Sequence, residues 1–79
     1  MYVLYIYDLK ARNKKKFNRV KRLFYYHLNR LPLKKEFWKT KSAFAVETSL
    51  EKPLDRFFRR FGKNVVVYKT TVESIELLG

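Results

Sequence analysis

The 79 residues carry nineteen Lys and Arg against seven Asp and Glu, a net charge of +12, with 47% apolar residues, 18% aromatic residues and no cysteine. This length holds one domain (residues 1–79) with a thin core. The apolar fraction excludes a disordered chain, and the missing cysteines exclude disulfides and thiolate metal sites. No apolar run approaches the ~20 residues that span a bilayer, and the opening stretch lacks the basic start and cleavage site of a signal peptide. The expected setting is cytoplasmic, away from membranes.

Residues 2–8 (YVLYIYD) are aromatic, β-branched or leucine up to Asp8, the pattern of a buried strand. Polar residues 9–12 break the run. From Asn13, a predicted N-cap, Phe17, Val20, Phe24, Leu28 and Leu31 recur at helical spacing, with Leu23 and His27 alongside. Pro32 marks the end of this helix.

Glu36 to Lys39 reads as a short strand and residues 42–48 (SAFAVET) as a firmer one, joined by a turn near 39–41. Thr48-Ser49-Leu50-Glu51 has the spacing of a capping box. Pro53 suits the first turn of the helix that follows. Leu54, Phe57, Phe58 and Phe61 form its apolar face, and Gly62 its stop. Val65 to Tyr68 reads as a strand, and Ser74 to Leu78 as a short last one.

The order is βαββαβ with a short C-terminal strand. It predicts an α+β, ferredoxin-like antiparallel sheet with two helices on one face. Such a sheet leaves its other face open. The first strand is apolar on both sides: Tyr2, Leu4 and Ile6 on one, Val3, Tyr5 and Tyr7 on the other. An open apolar face implies a second copy packed on it, or bases stacked on it. Val3, Tyr5, Tyr7 and Phe44, with Ile75 and Leu77 of the last strand, are the predicted dimer-interface residues.

The charge points to a polyanion, and nucleic acid is its usual form. Eight basic residues and no acid lie between Lys10 and Arg22: Lys10, Arg12, Lys14, Lys15, Lys16, Arg19, Lys21 and Arg22. Lys15, Arg19 and Arg22 share one stripe away from the apolar face, a ridge that suits a phosphate backbone. Arg30, Lys34 and Lys35 are further candidate contacts. Asp8 reads as a turn or capping residue or, functionally, as a catalytic Mg²⁺ ligand completed across a twofold axis. His27 reads as a packed histidine and Glu47 as a surface glutamate. Ser42, Ser49 and Ser74 lack a nucleophile context, and two glycines make no phosphate loop.

Taken together, YVLYIYDL, NRVKRLFYYHLN, Trp38, Ser42-Ala43-Phe44, Glu47 and NVVVYK, in that order, resemble the CRISPR-associated protein two family. The resemblance spans nearly the whole chain. Thr40 and Val46 stand where the family commonly has Gln and Gly, and the stretch from Leu31 to Trp38 is longer than usual. The family implies a homodimer with its sheets facing, and a last strand crossing to the partner. It places Asp8 near the dimer axis as a metal ligand, and implies duplex DNA held between CRISPR integrases during spacer acquisition. It also implies possible Mg²⁺-dependent endonuclease activity on RNA or DNA. The alternatives are a stand-alone metal-dependent endoribonuclease of the related toxin type, and a single-stranded RNA-binding module in which Tyr5, Tyr7 and Phe44 stack bases.

Overall fold

The computed structural model describes residues 1–31, 38–40, 42–76 and 78. Its elements are β1 (Tyr2–Leu9), α1 (Lys14–Asn29), β2 (Trp38–Lys39), β3 (Ala43–Glu47), α2 (Glu51–Phe61) and β4 (Val65–Val72). Single 3₁₀ turns at Thr48–Leu50 and Gly62–Asn64 flank α2. The four strands make one antiparallel sheet in the order β2-β3-β1-β4. This is the expected ferredoxin-like order, with the two helices inserted where the sequence places them.

Most helix ends follow local chemistry. The Asn13 side chain accepts a 2.8 Å bond from the Lys16 N–H, which satisfies one of the orphan donors at the start of α1. Gly62 ends α2 at φ +49°, a conformation that strains any L side chain. The capping box expected at Thr48 to Glu51 does not form. Thr48–Leu50 coils as a 3₁₀ turn, Leu50 precedes α2 without a side-chain cap, and the Glu51 carboxylate instead accepts from Lys69 Nζ at 2.7 Å.

Both helices lie on the side of the sheet that carries Val3, Tyr5 and Tyr7. These residues join Phe24, Leu28, Phe44, Val46, Leu54, Phe57, Phe58 and Val65 in one buried cluster. Its centre is aromatic: Tyr7 packs on Phe24 at 5.0 Å between ring centroids, Tyr5 stacks on Phe58 at 5.2 Å, and Phe24 meets Phe57 at 5.0 Å. Large rings supply the burial that so short a chain needs.

This overturns part of the expected interface. Val3, Tyr5, Tyr7 and Phe44 are 0–4% exposed within the chain's own core, so they are neither a dimer surface nor a base-stacking platform. The open face is the other one. It carries Tyr2, Leu4 and Ile6 of β1 with their register partners Ala43 and Ala45 of β3 and Thr70 and Tyr68 of β4. Ile6 is 47% and Tyr68 70% exposed there. The expected last strand is absent among described residues 74–76 and 78, which are irregular; Ile75 is half-buried, and Leu77 lies outside the described residues. Instead β4 runs four residues further than expected, to Val72, because it pairs with β1 along the whole of that strand. β2 is described only as Trp38–Lys39; Glu36 and Phe37 lie outside the described residues.

Candidate nucleic-acid interface

The expected phosphate ridge is built by α1. Its buried residues Val20, Phe24 and Leu28 face the sheet. Helical periodicity at 100° per residue therefore carries Lys15, Arg19 and Arg22 to the opposite side of the helix. Lys10, Arg12, Lys14, Lys15, Lys16, Arg19, Lys21, Arg22 and Arg30 are all exposed. Among the described residues only Lys10 of this group has an ion pair, with Asp8. Lys34 and Lys35 lie outside the described residues.

The start of α1 is electrostatically adverse. Its first turn contains no acid and begins with three consecutive lysines. The peptide dipoles place partial positive charge at that end, so lysines there oppose the helix. Lys14, Lys15 and Lys16 sit where folding disfavours a cation and where an anion is favoured by both the side chains and the backbone.

Asp8 extends from the last part of β1, on the open face with Ile6, and its register partner is Val66. Its side chain is 70% exposed and its Oδ2 lies 2.9 Å from Lys10 Nζ. An exposed pair of this kind contributes little to stability, so the carboxylate is free to exchange partners. Among the described residues no three His, Cys, Asp or Glu side chains gather as a metal site. Asp8 is the only carboxylate among the described residues that line the adjoining hollow. Mg²⁺, which keeps most of its waters, is satisfied by one or two carboxylates together with phosphate oxygens. Asp8 fits that requirement when phosphate, or a second Asp8 from another copy, completes the set.

Beside Asp8 an open hollow of about 610 Å³ lies between the end of β1 and α1, bordered by Tyr7, Phe17, Lys21, Tyr25 and Ser42. The Tyr7 and Tyr25 hydroxyls are 3.5 Å apart. Burial, followed by this neighbour, pushes the ionisation of Tyr7 upward.

A second polar cluster is structural. Lys69 Nζ reaches both Glu51 and Asp55, at 2.7 and 2.6 Å, and the Tyr5 hydroxyl donates to Asp55 at 2.8 Å. Burial opposes the charge on Asp55, but the bonds from Lys69 and Tyr5 and the charges of Lys69 and Arg59 outweigh it and hold this carboxyl below its ordinary range. The cluster ties β4 to α2 and removes Lys69 from the cations available to a ligand.

Sequence reasoning did not single out Arg56 and Arg60. They lie one turn apart on α2 and meet His27 of α1 and Arg30, the residue just after that helix, across a groove. The i, i+4 spacing was visible, but only the docking of the two helices joins these residues to Arg30. His27 is half-buried, with its ring 6.5 Å from that of Phe61, and Glu47 is exposed at the end of β3.

No helix among the described residues is long and apolar enough to cross a membrane. Comparison with protein-family models and with curated proteins finds no match. Fold and surface together define an α+β domain of ferredoxin-like order with a cationic helical layer and an open, largely apolar sheet face.

Proposed function

We propose that this chain is a spacer-acquisition subunit of the CRISPR-associated protein two kind: a cytoplasmic homodimer that holds duplex DNA through its phosphates and bridges an integrase. The carrying observation is the division of the surface. The cations of α1 lie on the helical side, with no carboxylate paired to them among the described residues, beside the exposed Leu23 and Tyr26, while exposed apolar Ile6, Val66 and Tyr68 lie on the opposite face of the sheet. Two copies joined through those sheet faces hide the apolar surface and turn both ridges outward. The phosphate contacts are Lys10, Arg12, Lys14, Lys15, Lys16, Arg19 and Arg22, with Lys21 on the flank. Such contacts position a duplex without reading its bases.

The test is the Lys15→Glu/Arg19→Glu/Arg22→Glu variant with a labelled duplex across a salt series. Wild type is expected to show a log–log slope of roughly −0.9 per phosphate contacted, and the variant a much shallower one. Unchanged affinity removes α1 as the contact surface.

The exposure of Asp8 beside the basic block favours a second reading, a Mg²⁺-dependent nuclease acting alone on RNA or DNA. Bound Mg²⁺ would supply Lewis-acid help at the scissile phosphate. The chain's own part is to hold that phosphate with Lys10 and Lys21 and to present the Asp8 carboxylate. Cleavage that depends on Mg²⁺ and is lost in Asp8→Asn supports this reading; cleavage that survives the substitution excludes Asp8.

A further inference from the structure

The ridge on α1 does not end at Arg22. Continued at the same helical spacing it passes Tyr26 and reaches Arg30, about 22 Å from Lys15 at 1.5 Å per residue. Arg30 is held in place there: its guanidinium carbon lies 5.3 Å from the centroid of the Tyr26 ring, and its Nη1 donates to the Tyr26 hydroxyl. Arg30 also borders the groove of about 290 Å³ between α1 and α2, whose other cationic edge is formed by Arg56 and Arg60. Phe57 and Leu31 contribute apolar surface to it, and His27 lies at its side. No carboxylate lines the groove among the described residues, and none pairs with these three arginines.

Three guanidinium groups around one groove repel each other unless an anion lies between them. Guanidinium forks match phosphate oxygens in pairs. The groove is also continuous with the ridge through Arg30. We propose that the α1–α2 groove is a second phosphate-contact surface, on which Arg30, Arg56 and Arg60 engage the same nucleic-acid backbone that the α1 ridge holds. This inference rests on the nucleic-acid reading above and adds to it Arg56 and Arg60, and the groove they form with Arg30.

The experiment uses the full chain carrying Arg30→Gln/Arg56→Gln/Arg60→Gln, with fluorescence anisotropy of a labelled duplex over a salt series. The log–log slope is expected to become shallower by roughly two to three, with affinity falling at least about tenfold at moderate salt. The corresponding triple Lys variant keeps the charges and is expected to retain most of the slope, which separates loss of charge from altered packing. His27 is the chain's one histidine, so its ring resonances report on the groove, and they are expected to shift when duplex is added to wild type. A wild-type slope in the Gln variant, or unmoved His27 resonances at saturation, overturns the proposal. So does binding of anionic lipid vesicles that needs these three arginines while duplex binding does not. If the groove variant weakens binding and the Lys15/Arg19/Arg22 variant does not, the groove stands and the ridge falls. The reverse result removes the groove alone.

Discussion

Replacing Lys14, Lys15 and Lys16 together by Glu should raise the stability of this protein and lower its affinity for nucleic acid. The first turn of α1 holds these three lysines, no acid, and Asn13 as its cap. A charge of the right sign near a helix N-terminus contributes about 0.3–1 kcal/mol at the surface, and one of the wrong sign costs a similar amount. A reversal removes one cost and adds one gain, about 0.6 kcal/mol even at the low end, so the three together give roughly 2 kcal/mol at low ionic strength. In a domain of this size 1 kcal/mol moves Tm by about 4–8 °C, so a rise of roughly 8–16 °C is expected. Reversing three cations also relieves self-repulsion in a chain of net charge +12. The effect should shrink toward about 1 M salt, where the Debye length is only about 3 Å. Thermal unfolding by circular dichroism at low and high salt measures it, and a duplex-binding salt series on the same samples measures the other half. A Tm that stays level or falls at low salt refutes the dipole argument. Unchanged binding refutes the claim that these lysines occupy an unfavourable position for the sake of a phosphate ligand.

Introducing charge on the open sheet face, as Ile6→Asp or Tyr68→Glu, is expected to convert a dimer into monomers in light scattering while leaving each monomer folded. Monomeric wild type would remove the sheet-to-sheet dimer. Phe24→Ala should cost about 3–5 kcal/mol, because Phe24 is fully buried among Tyr7, Tyr25, Phe57, Phe58 and Phe61; a urea midpoint close to wild type would contradict that core. Burial first, then the bond to Asp55 for Tyr5 and the neighbouring Tyr25 for Tyr7, raises the ionisation of both hydroxyls. Their raised folded values mean that the stability they contribute is complete below the ordinary tyrosine range near pH 10 and is lost as pH rises above it, when the unfolded chain releases its protons first. Denaturant unfolding at increasing alkaline pH should therefore show stability falling from about pH 10, and Tyr7→Phe should make the fall shallower. Asp55 runs in the opposite sense: its lowered folded value gives stability that is present above about pH 4 and lost as the solution is acidified. Asp55→Asn should flatten that acid limb, measured by urea unfolding down the acid range.

The helix α1, its Asn13 cap, the stop at Gly62 and the succession of strands and helices along the chain were legible because each depends on residues close together in the chain: a 3.6-residue period, a capping side chain, a glycine. The basic block was legible for the same reason, since eight cations without an acid fall within one short stretch from Lys10 to Arg22. The capping box was misread because Glu51 had a stronger partner eighteen residues away, in Lys69. Its carboxylate belongs to the link between α2 and β4, and no local pattern announces that.

What the sequence by itself determined was that β1 would be apolar on both sides and that one side would remain open. Which side was open it did not determine. Strand alternation makes Val3, Tyr5 and Tyr7 and Tyr2, Leu4 and Ile6 equivalent candidates. The tertiary structure decided between them, because the rings of Tyr5 and Tyr7 interleave with Phe24 and Phe58 when the two helices dock. The same docking brings Arg56 and Arg60 to Arg30. Residues with β2 and β3 between them in the chain become neighbours only through the packing of α1 and α2 on one sheet face, and that packing follows from shape and burial across the whole core.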